Sequence, residues 1–229
     1  MSYTFKQDLM SSSKYSVKCP YSMTPQYITI HNTSNSATAQ AEISYMKNNN
    51  NQTSFHVCVD EKYVIQAIPF NRNAWHAGDG ARGIGNRKSI GIEIARSTGN
   101  LTLFKQAEQN CAKYVATLLK QYGWGIDRVK RHKDWSGKNC PHKTMELGWQ
   151  RFLNMIQVEL NKLDNKVATT TVKITTDILN VRQSASATSK ITTTVKKGGV
   201  YTIIEEQNGW GKLKSGAGWI NLRYAKRIK

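Results

Sequence analysis

The spacing of apolar and polar positions divides the chain into two stretches with different periods. Through the first ~160 residues, runs of period two alternate with runs of period near 3.6. "QYITI" (26–30) is rich in β-formers and ends at His31, and "AQAEISYMKNN" then spaces Ala39, Ile43 and Met46 for one helical face. "SFHVCVDEKYVIQAI" sends Phe55, Val57 and Val59 one way and His56, Cys58 and Asp60 the other. A turn at Asp60-Glu61-Lys62 and a second run from Tyr63 to Ile68 predict a hairpin. "SIGIEIA" alternates as clearly, with Ile90, Ile92 and Ile94 on one face. The longest predicted helix runs from Thr102, read as its N-cap, to Tyr122, with Gly123 as its stop. Its apolar stripe is Phe104, Ala107, Cys111, Val115, Leu118 and Leu119. "DRVKRH" reads as a short extended segment delivering His132, and Thr144 to Leu163 as one last helix that buries Trp149, Phe152, Leu153, Ile156 and Leu160. Strands alternating with helices predict an α/β domain, a central sheet flanked by helices.

After Leu163 the helical period disappears. "DNKVATTT" is short and polar, a linker by composition. Only short β-prone runs follow, and turn signals recur at Gly198-Gly199, Asn208-Gly209 and Gly216. That pattern predicts a small all-β barrel or sandwich. Two domains are therefore expected: residues 1–163, and residues 164–229 comprising the linker and the β module.

Composition adds a strong field. The 229 residues carry a net charge of +18. Residues 161–229 hold 13 Lys+Arg against 4 Asp+Glu, or +9, half of the total in under a third of the chain. Such a charge favours polyanions: nucleic acid, an acidic membrane surface, or the anionic polymers of a bacterial wall. The basic residues are scattered rather than blocked, which weighs against nucleic acid as a partner. No apolar run approaches the ~18 residues a spanning helix needs, so no membrane insertion is expected. The first residues, "MSYTFKQDLMSSSKYSVKCP", lack a signal peptide's apolar core and cleavage site. Synthesis in the cytoplasm of the producing cell is the expectation. Cys19, Cys58, Cys111 and Cys140 show no regular spacing, and Cys58 and Cys111 read as buried free thiols.

Chemistry concentrates in a few residues. Of five histidines, His31 closes a strand, while His132 and Cys140 bracket the loop "HKDWSGKNC". A catalytic zinc site takes three nitrogen or sulfur ligands and keeps one position for water. The His-x7-Cys spacing suits half of such a site, and equally a surface loop that happens to carry these side chains. Glu93 stands amid "GIEI", where isoleucines take the apolar face, so its carboxylate projects from the opposite one. An acid there is costly unless it is salt-bridged or functional. Beside a metal it would act as a general base toward water. Lys138 is either a solvated loop lysine or a positive charge for a developing oxyanion.

The stretches "YITIHNT", "SFHVCVD", "WHAGDG", "SIGIEIA" and "HKDWSGKNCPH", in this order, resemble the zinc-dependent N-acetylmuramoyl-L-alanine amidases of the phage-lysin and peptidoglycan-recognition type. The resemblance covers residues ~25–160, several ordered motifs being far more specific than one. It implies a central mixed sheet, and one zinc ion held by His31, His132 and Cys140. It also implies Glu93 as catalytic carboxylate, Lys138 as stabiliser of the tetrahedral intermediate, and hydrolysis of the bond between N-acetylmuramic acid and L-alanine. Peptidoglycan is then the partner, reached after release from the cell as by an endolysin or autolysin. Phe55 stands where some members carry a tyrosine, so no hydroxyl is offered there. His56, Trp75, His76 and Phe55 are the expected substrate-binding residues. The last ~60 residues are similar to bacterial Src-homology-3-like wall-binding modules. "ILNVRQSASATSKI", "VKKGGVYTIIEEQNGWGKLK" and "GWINLRYAKRI" carry that likeness, with Trp210, Trp219 and Tyr224 as candidate wall-binding aromatics. The competing reading is a recognition protein that binds muropeptide without cutting it. Such relatives lack the cysteine ligand, and Cys140 is present here.

Overall fold

A computed structural model describes residues 3–164 and 170–228 and divides into two compact units, Met1–Leu163 and Asp164–Lys229. Most of the predicted linker, residues 165–169, lies outside the described residues.

Six strands build the sheet of the first unit: β1 (Thr4–Gln7), β2 (Tyr27–Asn32), β3 (Val57–Val59), β4 (Tyr63–Gln66), β5 (Ser89–Ile94) and β6 (Val129–Arg131). Their order is β1-β4-β3-β5-β2-β6. Every neighbouring pair is parallel except the β3–β4 hairpin, so the sheet is mixed. Among the described residues, seven α-helices accompany it: α1 (Tyr15–Lys18), α2 (Ala39–Asn48), α3 (Ile84–Lys88), α4 (Leu101–Tyr122), α5 (Lys133–Ser136), α6 (His142–Glu146) and α7 (Trp149–Asp164). Strand alternation sorts the side chains. Ile28, Ile30, Val57, Val59, Ile90, Ile92 and Ile94 form one core with Phe104, Val115 and Leu119 of α4 and Phe152 and Ile156 of α7. Cys58 and Ile65 form a second core on the other face, with Ala39, Ile43 and Met46 of α2. Each fully buried isoleucine contributes roughly 1.5–3 kcal/mol. Because three isoleucines of β5 are committed to the α4 face, Ser89, Gly91 and Glu93 are forced to the α2 face.

Two expectations are corrected. The N-cap of α4 is Asn100, not Thr102: its side-chain oxygen accepts from the N–H groups of Thr102 and Leu103. The last helix is broken into α6 and α7 at Gly148, whose φ of 107° a helix cannot hold. The N-terminal strand β1, pairing with β4 at a sheet edge, was not anticipated.

The second unit is one seven-stranded antiparallel sheet. Its strands are β7 (Thr170–Ile174), β8 (Ile178–Arg182), β9 (Ile191–Lys196), β10 (Val200–Gln207), β11 (Trp210–Leu213), β12 (Trp219–Asn221) and β13 (Ala225–Ile228), in the order β13-β7-β10-β11-β12-β8-β9. Asn208 and Gly209 both take positive φ between β10 and β11, as a two-residue hairpin turn of this twist requires. Val172, Ile174, Val181, Ile203, Leu213 and Ile220 fill its small core.

Candidate metal centre and cleft

Strand register brings the first chemical groups together. In the parallel β2–β5 pair, His31 stands opposite Glu93, and both point away from the isoleucine core. Both lie near the carboxyl ends of their strands, and His132 follows the end of β6 beside them. Sites in open α/β sheets form at such ends, where strands stop and loops begin.

The loop after β6 must fold back for Cys140 to join. Asn32 holds it there: its side-chain oxygen accepts from the backbone N–H groups of Lys143 (2.9 Å) and Thr144 (3.1 Å) at the start of α6. Its amide donates to the Thr144 hydroxyl. Sequence reasoning missed Asn32; the only signal was a polar residue ending an apolar strand. The result is a buried cluster of His31, His132 and Cys140 whose donor atoms lie within 4.8 Å of one another. Nδ1 of His31 is 3.1 Å from Nδ1 of His132 and 3.8 Å from Sγ of Cys140. Burial, then the neighbouring Glu93 carboxyl, pushes the Cys140 thiol up to about 12.

Glu93 and Lys138 line a cleft of about 310 Å³, with Phe55, Glu42, Asn51 and Thr53 among its walls. Oε2 of Glu93 is buried with no hydrogen-bond partner among the described residues. Desolvation, reinforced by Glu42 and opposed by Lys138, raises this carboxyl to about 8. No salt bridge to Glu93 occurs among the described residues, so the bland reading of this acid finds no support.

The other expected site residues divide. Phe55 lines the cleft while being largely buried. Trp75 is half-buried, its Nε1–H donating to the Val17 carbonyl, and lines a separate groove of about 300 Å³ with Gln52, Gly78 and Asn86. His56 and His76, expected to bind substrate, are both buried with their ring nitrogens facing hydrogen-bond partners. The Gly91 N–H donates to Nδ1 of His56 (2.9 Å), whose Nε2–H donates to the Arg72 carbonyl (2.9 Å). Desolvation, only partly offset by that carbonyl, lowers His56 to about 4. His76 bonds His31 and the Ser89 carbonyl. In the second unit, Trp210 and Tyr224 line a groove of about 430 Å³ with Asn180, Arg182 and Asn221. Trp219 is 8% exposed and carries the Lys212 ammonium over its ring, so it packs rather than lining that groove.

Comparison with known proteins gives the family of each unit. Residues 21–143 match a family model described as N-acetylmuramoyl-L-alanine amidase, and residues 177–226 one described as a bacterial SH3 domain. The chain is 48% identical over 198 residues to N-acetylmuramoyl-L-alanine amidase CwlA of Bacillus subtilis, covering 86% of this chain and 71% of that protein. It is 53% identical over 162 residues to amidase XlyB of the same organism, covering 70% and 51%. The solved PlyG catalytic domain superposes with a TM-score of 0.66 at 45% identity, over 69% of this chain and 95% of that one.

Proposed function

The chain belongs to the N-acetylmuramoyl-L-alanine amidase family, and from that premise we propose that His31, His132 and Cys140 hold one zinc ion while Glu93 moves the proton in its reaction. That reaction is hydrolysis of the amide joining N-acetylmuramic acid to the L-alanine of the peptidoglycan stem. The carrying observation is the convergence of three buried donor atoms beside a carboxylate oxygen that bonds nothing.

The donor set fits zinc in kind, its atoms lie within 4.8 Å of one another, and two of its three separations can be set against a zinc site. Two imidazole nitrogens and a sulfur on a tetrahedral ion, with Zn–N of ~2.0–2.1 Å and Zn–S of ~2.3 Å, stand about 3.3 Å (N to N) and about 3.6 Å (N to S) apart. The observed 3.1 and 3.8 Å lie close to both. Bound there, zinc supplies a Lewis acid that lowers the pKa of water and polarises the scissile carbonyl.

The chain's own residues do the rest. Glu93, on the cleft with a buried oxygen that has no partner among the described residues, accepts a proton from the attacking water and returns it to the leaving alanine nitrogen. The Lys138 ammonium, on the same cleft, faces the oxygen on which negative charge develops. Phe55 keeps its wall apolar and offers no hydroxyl, so any role of a hydroxyl there is absent or assumed by Glu93. The groove bearing Trp210, Tyr224 and Arg182 is the proposed wall-binding surface, and the basic second unit is suited to anionic wall polymers. In this reading the enzyme acts on the wall after release from the cell that makes it; among the described residues no helix is long and apolar enough to cross a membrane.

The test is mass spectrometry of digested walls together with metal analysis. New free amino groups on L-alanine and one zinc per chain are expected. Wall binding with no bond opened, even in added zinc, would favour the recognition-only reading.

A further inference from the structure

His76 lies behind the metal cluster, 6% exposed, and touches the cleft at no point. Its two nitrogens are committed in a definite order. Nε2 is 3.2 Å from the Ser89 carbonyl, which can only accept, so Nε2 carries the hydrogen. In a neutral imidazole Nδ1 is then a bare acceptor, and it stands 3.0 Å from Nε2 of His31. His31 therefore donates from Nε2. Its Nδ1 is left as a lone pair, facing His132 and Cys140. The opposite tautomer of His76 would set a lone pair against the Ser89 carbonyl in a buried space, at the cost of an unmade hydrogen bond.

The surrounding structure is shaped to keep this ring in place. Oδ1 of Asn86 accepts from the backbone N–H groups of both His76 and Ala77, each at 2.8 Å. Gly91 of β5 provides the room: a Cβ there would stand 2.7 Å from Cγ of His76. Thus the "WHA" and "GIE" segments meet through a ring that needs a missing side chain.

We propose that His76 is a positioning residue for the metal centre, fixing His31 in the tautomer whose Nδ1 lone pair points into the cluster. This rests on the reading that the cluster holds zinc. A ligand imidazole is held to one tautomer and one orientation by the partner of its second nitrogen, and loss of such a partner typically costs 10–100-fold in metal affinity. Here that partner is another imidazole, itself fixed by a backbone carbonyl.

The test has two arms. In the chelator-treated full chain with 15N-labelled histidine, long-range proton–nitrogen correlation should show His31 and His76 both protonated on Nε2. A hydrogen on Nδ1 of His31 overturns the proposal, and this measurement needs no variant. In the second arm, His76→Phe keeps an aromatic ring, larger than imidazole, and removes both nitrogens, while His76→Gln keeps a donor and an acceptor. Chelator competition should find zinc bound 10–100-fold more weakly by His76→Phe, with partial recovery in His76→Gln. The cobalt-substituted absorption spectrum should shift in the same order. Equal zinc affinity and an unchanged spectrum in a folded His76→Phe protein would overturn the relay alone. Wild-type protein that binds no zinc would instead remove the metal reading, leaving the tautomer measurement to judge the hydrogen-bond chain by itself.

Discussion

At the scale of single residues, the roles proposed for Glu93 and Cys140 predict different losses. Glu93→Gln keeps the shape and loses the base, so kcat on soluble muropeptide should fall by about 10²-fold or more. Zinc content should stay at the wild-type level; a fully active variant would show that another group moves the proton. Cys140→Ser replaces a soft ligand with a poor one, and dialysis followed by metal analysis should find zinc retained far less well. His56 carries a different consequence. Its folded value of about 4 lies below the ordinary 6.5, so between those values the unfolded chain takes up a proton that the fold refuses. Stability is therefore complete above pH 6.5 and lost as pH falls toward 4, by up to about 3 kcal/mol at 1.36 kcal/mol per pK unit. Urea midpoints measured from pH 7 to 4 should trace this loss. His56→Gln should reduce the loss without abolishing it, because His76, lowered to about 3 by its own burial, contributes in the same direction.

At the scale of elements, two asparagines perform the same backbone task in different places. Asn100 caps α4 and Asn32 anchors α6, each by a side-chain oxygen accepting two backbone N–H groups. Replacing either with Ala should cost about 1–2 kcal/mol in denaturant unfolding. Only Asn32→Ala should also weaken zinc binding, because α6 carries the chain end of the Cys140 loop. Equal zinc affinity in both variants would mean that the loop holds itself. The elements also show how far periodicity reaches. The isoleucine alternation of β2 and β5 and the stripe of α4 were legible, since strand and helix periods fix which side chains share a face. The break between α6 and α7 was not. Gly148 sits inside a run whose apolar spacing continues across it, and only its backbone conformation ends the helix.

At the scale of the whole molecule, the two units divide catalysis from attachment. Removing residues 167–229 should weaken adsorption to whole walls and leave cleavage of soluble fragments intact, since a tethered module raises local concentration without touching chemistry. Adsorption of the full chain should also fall with salt, as its basic surface is screened. Loss of fragment cleavage on truncation would mean that the two units are not independent. The sequence by itself determined the α/β and all-β periods, the set of chemically capable side chains and, through ordered motifs, the family, because these depend on residue type and short spacing. It did not set the surroundings of His56, His76 and Asn32. Their hydrogen-bond partners, such as the Arg72 and Ser89 carbonyls and the Thr144 N–H, are backbone groups that every residue possesses and that become neighbours only when strands and loops converge. Folding chose the partner of each nitrogen, and that choice gives His31 and His76 different surroundings although their side chains are the same.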